Sequence, residues 1–323
     1  MIEVKDITKQ YGKQKVIKKM SFTVEKGEIL GFLGPNGAGK STTMNMLTGY
    51  LAPTEGRIYI NGIDLLEQPL EAKKHIGYLP EQPPLYMEMI VKDYLIFVAK
   101  LKGVAKKERE KEIQRVMSLV QIEDVSGRLI KNMSKGYKQR IGLAGALVGA
   151  PSVLILDEPT VGLDPKQIIE IRHLIKDLSQ EYTVILSSHI LSEISAVCDR
   201  IMIINKGEIV VSEKTEKLLH MLAGDTQLSL SIKGVETGIE EAIRQIDGVA
   251  QILKLEEKEE LTQIEMVLEK ESATLEVREA LFECCVAYQT PIMELKQLDI
   301  SLEDIFLQVT GQANALKGED EVC

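Results

Sequence analysis

Gly34-Pro35-Asn36-Gly37-Ala38-Gly39-Lys40-Ser41-Thr42 stands between an apolar run, Glu28-Ile-Leu-Gly-Phe-Leu33, and the helix-like Thr43-Met-Asn-Met-Leu47. Its Gly-x-x-x-x-Gly-Lys-Ser spacing, entered from a strand and left through a helix, is the pattern of a phosphate-binding P-loop. Gly37 and Gly39 free the backbone to turn N–H groups inward around phosphate oxygens, and the following helix aims its partial positive end there. Lys40 supplies a cation for the β- and γ-phosphates. The Ser41 hydroxyl suits Mg²⁺, a hard cation that prefers oxygen. Such a loop belongs to an α/β core, with the phosphates of a nucleotide and Mg²⁺ as its expected ligands.

Farther along, Val153-Leu-Ile-Leu-Asp157-Glu158 reads as a buried strand carrying two carboxylates at its end. Parallel α/β sheets bind ligands at the carboxyl ends of strands, so these carboxylates are expected to face the P-loop. Asp157 then holds Mg²⁺, in part through water, and Glu158 polarises the water that attacks in line. Asp164-Pro165 reads as a helix start, with Asp at the N-cap and Pro at N1.

Further strands are read around Ile2–Ile7, Phe22–Val24, Arg57–Asn61, Ile76–Leu79, Thr183–Leu186 and Arg200–Ile204. Between Asp93 and Ala150 the pattern is mostly helical, with a charged, exposed run at Lys106–Arg115. This places a helical subdomain at about 85–150 inside a first domain of 1–222. Periodicity and charge change at Gly224-Asp225. From there the order is β-α-β-β-α-β, a ferredoxin-like accessory domain at 223–310, with an amphipathic Ser301–Val309 and an acidic flexible tail at 311–323. The net charge of −10 hides an asymmetry: residues 1–222 hold 31 Lys/Arg against 27 Asp/Glu, while 223–323 hold 8 against 22. Binding nucleic acid through overall positive charge is excluded, and the acidic second part repels phosphate backbones.

Cys198, Cys284, Cys285 and Cys323 have no metal-ligand or redox spacing, which points to reduced thiols in a cytosolic protein. The opening Met-Ile-Glu-Val-Lys-Asp lacks the apolar core of a signal peptide. The most apolar stretch, Ile141–Leu156, is cut by Pro151-Ser152 and falls short of the roughly 18–20 residues that span a bilayer. Any work at a membrane is expected to go through a partner.

Asn132-Met-Ser134-Lys-Gly136-Tyr-Lys-Gln-Arg140, placed before the apolar helix that leads to the carboxylate strand, resembles the signature sequence of ATP-binding cassette (ABC) ATPases. Tyr11, Gln82 after Ile76–Leu79, Gly162-Leu163-Asp164 after Glu158, and His189 after Thr183–Leu186 stand in that family's order. The resemblance covers residues 1 to about 220 and implies a P-loop NTPase with β and helical subdomains. It implies that Tyr11 stacks on adenine and that Gln82 senses the γ-phosphate and metal. It further implies that Asp164 lies in a D-loop and that His189 is a switch histidine. Each taken alone has a plainer reading: a surface tyrosine, a loop amide, a helix cap, a cap region.

Met133, Lys135 and Tyr137 replace Leu, the first Gly and the Gln of the commonest signature, Leu-Ser-Gly-Gly-Gln. Ser134 and Gly136 remain, so a helix N-terminus that can bind anion is kept. Lys135 either approaches phosphate or is solvated. The Ser-Lys-Gly-x-x-Gln-Arg form resembles the type-2 exporter, gliding-motility and ABCA-like branch, whose C-terminal extension Leu302-Glu-Asp-Ile-Phe306 also resembles.

In this family the P-loop of one copy meets the signature of another. The resemblance therefore implies an ATP-hydrolysing transporter subunit, an exporter's, that dimerises, with a homodimer expected. It energises separate transmembrane permease subunits, binds no nucleic acid, and sits on the cytoplasmic face of the cell membrane through that partner. Pro83-Pro-Leu-Tyr86-Met-Glu-Met89 is either a loop packed on its own domain or the place that receives a helix of the membrane subunit. The competing function is a soluble ABC-type ATPase outside transport. Such proteins usually carry two cassettes, zinc-binding cysteine pairs or long heptad runs, none of which is visible here.

Overall fold

The computed structural model describes residues 1–222, 227–234, 238–258, 261–269 and 274–298. The boundary expected at Gly224-Asp225, the Ser301–Val309 segment and the 311–323 tail lie outside these residues. The chain forms two units, Met1–Thr215 and a second that begins at Glu216.

The first unit opens with β1 (Ile2–Tyr11), β2 (Gln14–Val24), β3 (Ile29–Leu33), α1 (Lys40–Leu47), β4 (Glu55–Ile60), β5 (Ile63–Asp64), α2 (Pro69–Lys74) and β6 (Ile76–Leu79). It continues through α3 (Val91–Leu101), α4 (Arg109–Leu119), α5 (Lys135–Leu147), β7 (Val153–Asp157), α6 (Pro165–Leu178) and β8 (Thr183–Ser188). It closes with α7 (Leu191–Ser195), β9 (Arg200–Asn205) and β10 (Glu208–Lys214), and α8 (Thr215–Leu222) begins at its last residue.

Two sheets build this unit. One is antiparallel, in the order β2-β1-β4-β5, and its strands alternate buried and exposed residues because only one face is covered. The other runs β10-β9-β3-β8-β7-β6, with β3, β6, β7, β8 and β9 parallel. Its strands β3, β7 and β8 are buried at every residue, as strands covered on both faces must be. Phe22 of the first sheet meets Phe32 of the second edge-on at 5.3 Å between ring centroids, and both belong to one core with Met44, Ile58, Ile155 and Met202. Helices α3, α4 and α5 pack on one another, and α5 leans on β6.

Register positions the site. Leu33 lies opposite Ser188, Asp157 opposite Ser187, and Leu79 opposite Leu156. The loops that leave β3, β6, β7 and β8 therefore start along one edge of the sheet.

The second unit carries β11 (Gln227–Lys233), α9 (Ile239–Arg244), β12 (Val249–Lys258), β13 (Leu261–Leu268), α10 (Thr274–Ala287) and β14 (Ile292–Leu298). Its antiparallel sheet has the order β12-β13-β11-β14. Leu228, Leu230 and Ile232 form its core with Ile243, Val277 and Leu281. Among the described residues no helix is long and apolar enough to cross a membrane.

Candidate nucleotide site

The P-loop leaves β3 through a narrow gap. A Cβ on Gly34 would stand 2.5 Å from the Ile204 carbonyl, so glycine alone passes beside β9. Gly37 and Gly39 take φ values of +80° and +107°, left-handed backbone that glycine adopts without steric cost. The Ala38 N–H donates to the Pro35 carbonyl at 3.1 Å, and the Gly207 N–H donates to the Ala38 carbonyl at 3.0 Å. Pro35, Asn36, Gly37, Gly39, Lys40, Ser41 and Thr42 rim a cavity of about 380 Å³, which Val16, Glu81, Glu158, Val161 and His189 complete.

Lys40 is 6% exposed, and its Nζ donates to the Gly34 carbonyl at 2.7 Å. The same nitrogen lies 3.3 Å from Glu158 Oε1. His189 Nδ1 stands 3.0 Å from the other oxygen of that carboxylate, so Glu158 bridges a lysine and a histidine at the cavity wall. Glu158 has φ +47°, strained for a residue with a side chain, and its N–H donates to Ser187 Oγ at 2.9 Å. Ser187 Oγ donates in turn to Asp157 Oδ1 at 2.6 Å. One hydroxyl thus grips both acidic residues. Burial and the neighbouring Asp157 carboxylate push the Tyr78 phenol up to about 12.

Ser41 Oγ reaches Asp157 Oδ1 at 3.5 Å, and these two hard oxygen donors beside the loop fit Mg²⁺. Among the described residues no group of three or more His, Cys, Asp or Glu side chains could hold a metal ion. A Mg²⁺ held there would complete its coordination with phosphate oxygens and water, as this ion usually does.

Other expected residues lie elsewhere. Tyr11 is 51% exposed at the end of β1, with the Lys9 ammonium 5.2 Å from its ring centroid. Gln82 is exposed in the loop after β6, and it is Glu81 beside it that lines the cavity. Ser134 and Gly136 line a separate cavity of about 320 Å³ with Tyr137, Arg140, Gln167 and Glu170. Ser134 caps α5 by accepting the Tyr137 N–H at 3.3 Å, and Asp164 caps α6 by accepting the Gln167 N–H at 2.9 Å. A Cβ on Gly136 would come within 2.8 Å of the Gln167 side chain, so glycine lets the start of α5 lie against α6. The Lys135 ammonium lies over Gly162, where any side chain would collide with it. Glu81 and Ser187 were missed by sequence reading. A signal for Ser187 existed: paired serines closing an otherwise apolar strand.

A family model described as ABC transporter matches residues 17–161. The chain is 34% identical over 314 residues to the linearmycin resistance ATP-binding protein LnrL of Bacillus subtilis (strain 168), covering 97% of this chain and 99% of LnrL. This chain belongs to the ABC transporter family. To the bacitracin transport ATP-binding protein BcrA of Bacillus licheniformis this ABC chain is 42% identical over 212 residues, 65% of its own length and 68% of BcrA. The solved dimeric structure of MJ0796, a bacterial ABC transporter cassette, superposes with a TM-score of 0.61 at 27% identity, over 67% of this chain and 99% of that one. The first unit is accordingly an ABC ATPase of the P-loop NTPase fold. As an ABC ATP-binding subunit it binds ATP with Mg²⁺ and hydrolyses it to ADP and phosphate to energise separate membrane subunits.

Proposed function

We propose that Glu158 is the general base of ATP hydrolysis and that two copies close on each other to complete each site. The observation that carries this reading is the Glu158 carboxylate held between Lys40 and His189 at the wall of the P-loop cavity. Phosphate oxygens arriving at Lys40 compete for its ammonium and release one side of Glu158. The freed carboxylate takes a proton from the water that attacks the γ-phosphorus, and ADP leaves with the electron pair of the broken P–O bond. His189 orients the carboxylate and the water. Ser41 and Asp157 would hold Mg²⁺, which would supply positive charge to the phosphates, while Gln82 senses the γ-phosphate and Tyr11 stacks on adenine.

The Ser134 and Gly136 cavity shares no residue with the P-loop cavity, which supports a site completed by a second copy. Each copy lends its α5 N-terminus to the γ-phosphate held by the other, beside the D-loop Asp164. The test is Glu158→Gln. Phosphate release falls about 100-fold or more, and an ATP-dependent dimer accumulates in sedimentation velocity. Near-normal turnover overturns the assignment.

The permease surface is read at Pro83–Met89. Tyr50, Tyr78, Pro83, Tyr94, Gly142 and Gly145 line a groove of about 430 Å³, and Tyr86 stands half-exposed on the Phe97 ring at 5.4 Å. An apolar groove of this kind suits a helix of a membrane subunit. Tyr86→Asp lowers co-purification with that subunit, and undiminished capture counts against this surface. The relatives' names, of resistance and of transport, support export. They also favour a peripheral position on the cytoplasmic face, reached through the permease, over a role outside transport. The β11-α9-β12-β13-α10-β14 order and its antiparallel sheet support a ferredoxin-like accessory domain.

A further inference from the structure

Glu193, on the short helix α7, is only 8% exposed and has no part in the reading above. Its Oε2 accepts hydrogen bonds from Thr160 Oγ1 at 2.5 Å and from Ser188 Oγ at 3.2 Å. Ser188 Oγ itself accepts the Ile190 N–H at 3.0 Å. Thr160 stands two residues beyond Glu158, and Ser188 and Ile190 flank His189. One buried oxygen therefore joins the segment that carries Glu158 to the segment that carries His189.

We infer that Glu193 is a positioning residue, which fixes the 3.0 Å contact between His189 and Glu158 by tying Thr160 to Ser188. The inference rests on the reading of Glu158 and His189 as the hydrolytic pair. A fully satisfied polar cluster in a buried site holds its members in one arrangement, because every alternative leaves a polar atom unpaired. The His189 side chain is 43% exposed, whereas Thr160, Ser188 and Glu193 are buried, so the cluster lies on the covered side of the turn that carries it. Both donors reach the same oxygen of Glu193, so the contact requires an acceptor at that point, with no need of a charge.

That distinction gives the test, run as steady-state ATP turnover on the full chain. Glu193→Gln keeps the accepting oxygen and retains most of kcat. Glu193→Leu removes it, and kcat falls about tenfold or more while KM for ATP stays within about twofold. Thr160→Val keeps the shape, loses the donor and lowers kcat in the same way, which serves where Glu193→Leu does not fold. Wild-type kcat in Thr160→Val and Glu193→Leu overturns the inference, as does a Glu193→Gln loss equal to that of Glu193→Leu. Glu158→Gln in the same assay separates the two readings. If it alone abolishes turnover, only the positioning role fails; if it leaves turnover intact, the hydrolytic pair itself is wrong.

Discussion

At the scale of single residues, one hydroxyl on the neighbouring strand, that of Ser187, ties the acidic pair together. The Ser187 hydroxyl accepts from the Glu158 N–H and donates to Asp157 Oδ1, in a spot with no access to water. Ser187→Ala leaves the Glu158 N–H unpaired and Asp157 Oδ1 with only the 3.5 Å contact from Ser41, and a buried polar atom without a partner costs about 1–3 kcal/mol. The expected outcome is a denaturant midpoint lowered to match, with ATP turnover down about tenfold because the strained φ of Glu158 loses its anchor. The P-loop was legible from the chain because its chemistry is local: glycines, a lysine and a serine at fixed spacing in one turn. Ser187 and Glu193 were not, because their partners sit on neighbouring strands and loops, and spacing along the chain does not encode that register.

At the scale of elements, the central strand β3 owes its fit to a residue without a side chain. A Cβ on Gly31 would collide with Ile194 and stand 2.8 Å from Cys198 Sγ, so α7 and the turn after it pack directly on the strand backbone. Gly31→Ala forces them apart, and overpacking of this kind costs about 1–3 kcal/mol. Burial pushes the Cys198 thiol well above its usual range, so the native thiol carries almost no reactive thiolate near neutral pH. Displacement of α7 is therefore read as faster labelling of Cys198 by a thiol reagent in Gly31→Ala than in the wild type; equal rates would show that the helix had not moved. Strands β6, β7, β8 and β9 could be read from apolar runs, since burial on both faces writes itself as unbroken hydrophobicity. Helix α7 has five residues, too few for a 3.6-residue period to declare itself.

At the scale of the molecule, each chain carries one P-loop cavity and one Ser134 cavity, and they are distinct places on the first unit. Nothing local in the sequence announces that the two belong together; resemblance to a family supplied that, and dimerisation is its physical consequence. The consequence can be tested without any permease. A chain with Lys40→Ala keeps its signature and loses its own phosphate cation, while Gly136→Asp keeps its P-loop and places a repelling carboxylate at the start of α5. Each variant alone forms only sites with one damaged half. Mixed in equal amounts, half of the dimers pair one of each, and one of their two sites then joins an intact P-loop to an intact signature. Turnover per chain should recover to roughly a quarter of the wild-type value if each such site works independently in a two-fold dimer. Recovery that rises with total protein concentration and disappears below the dimer's dissociation constant fits sites shared between copies. A mixture no more active than its separate components would mean that every chain hydrolyses ATP with its own residues alone.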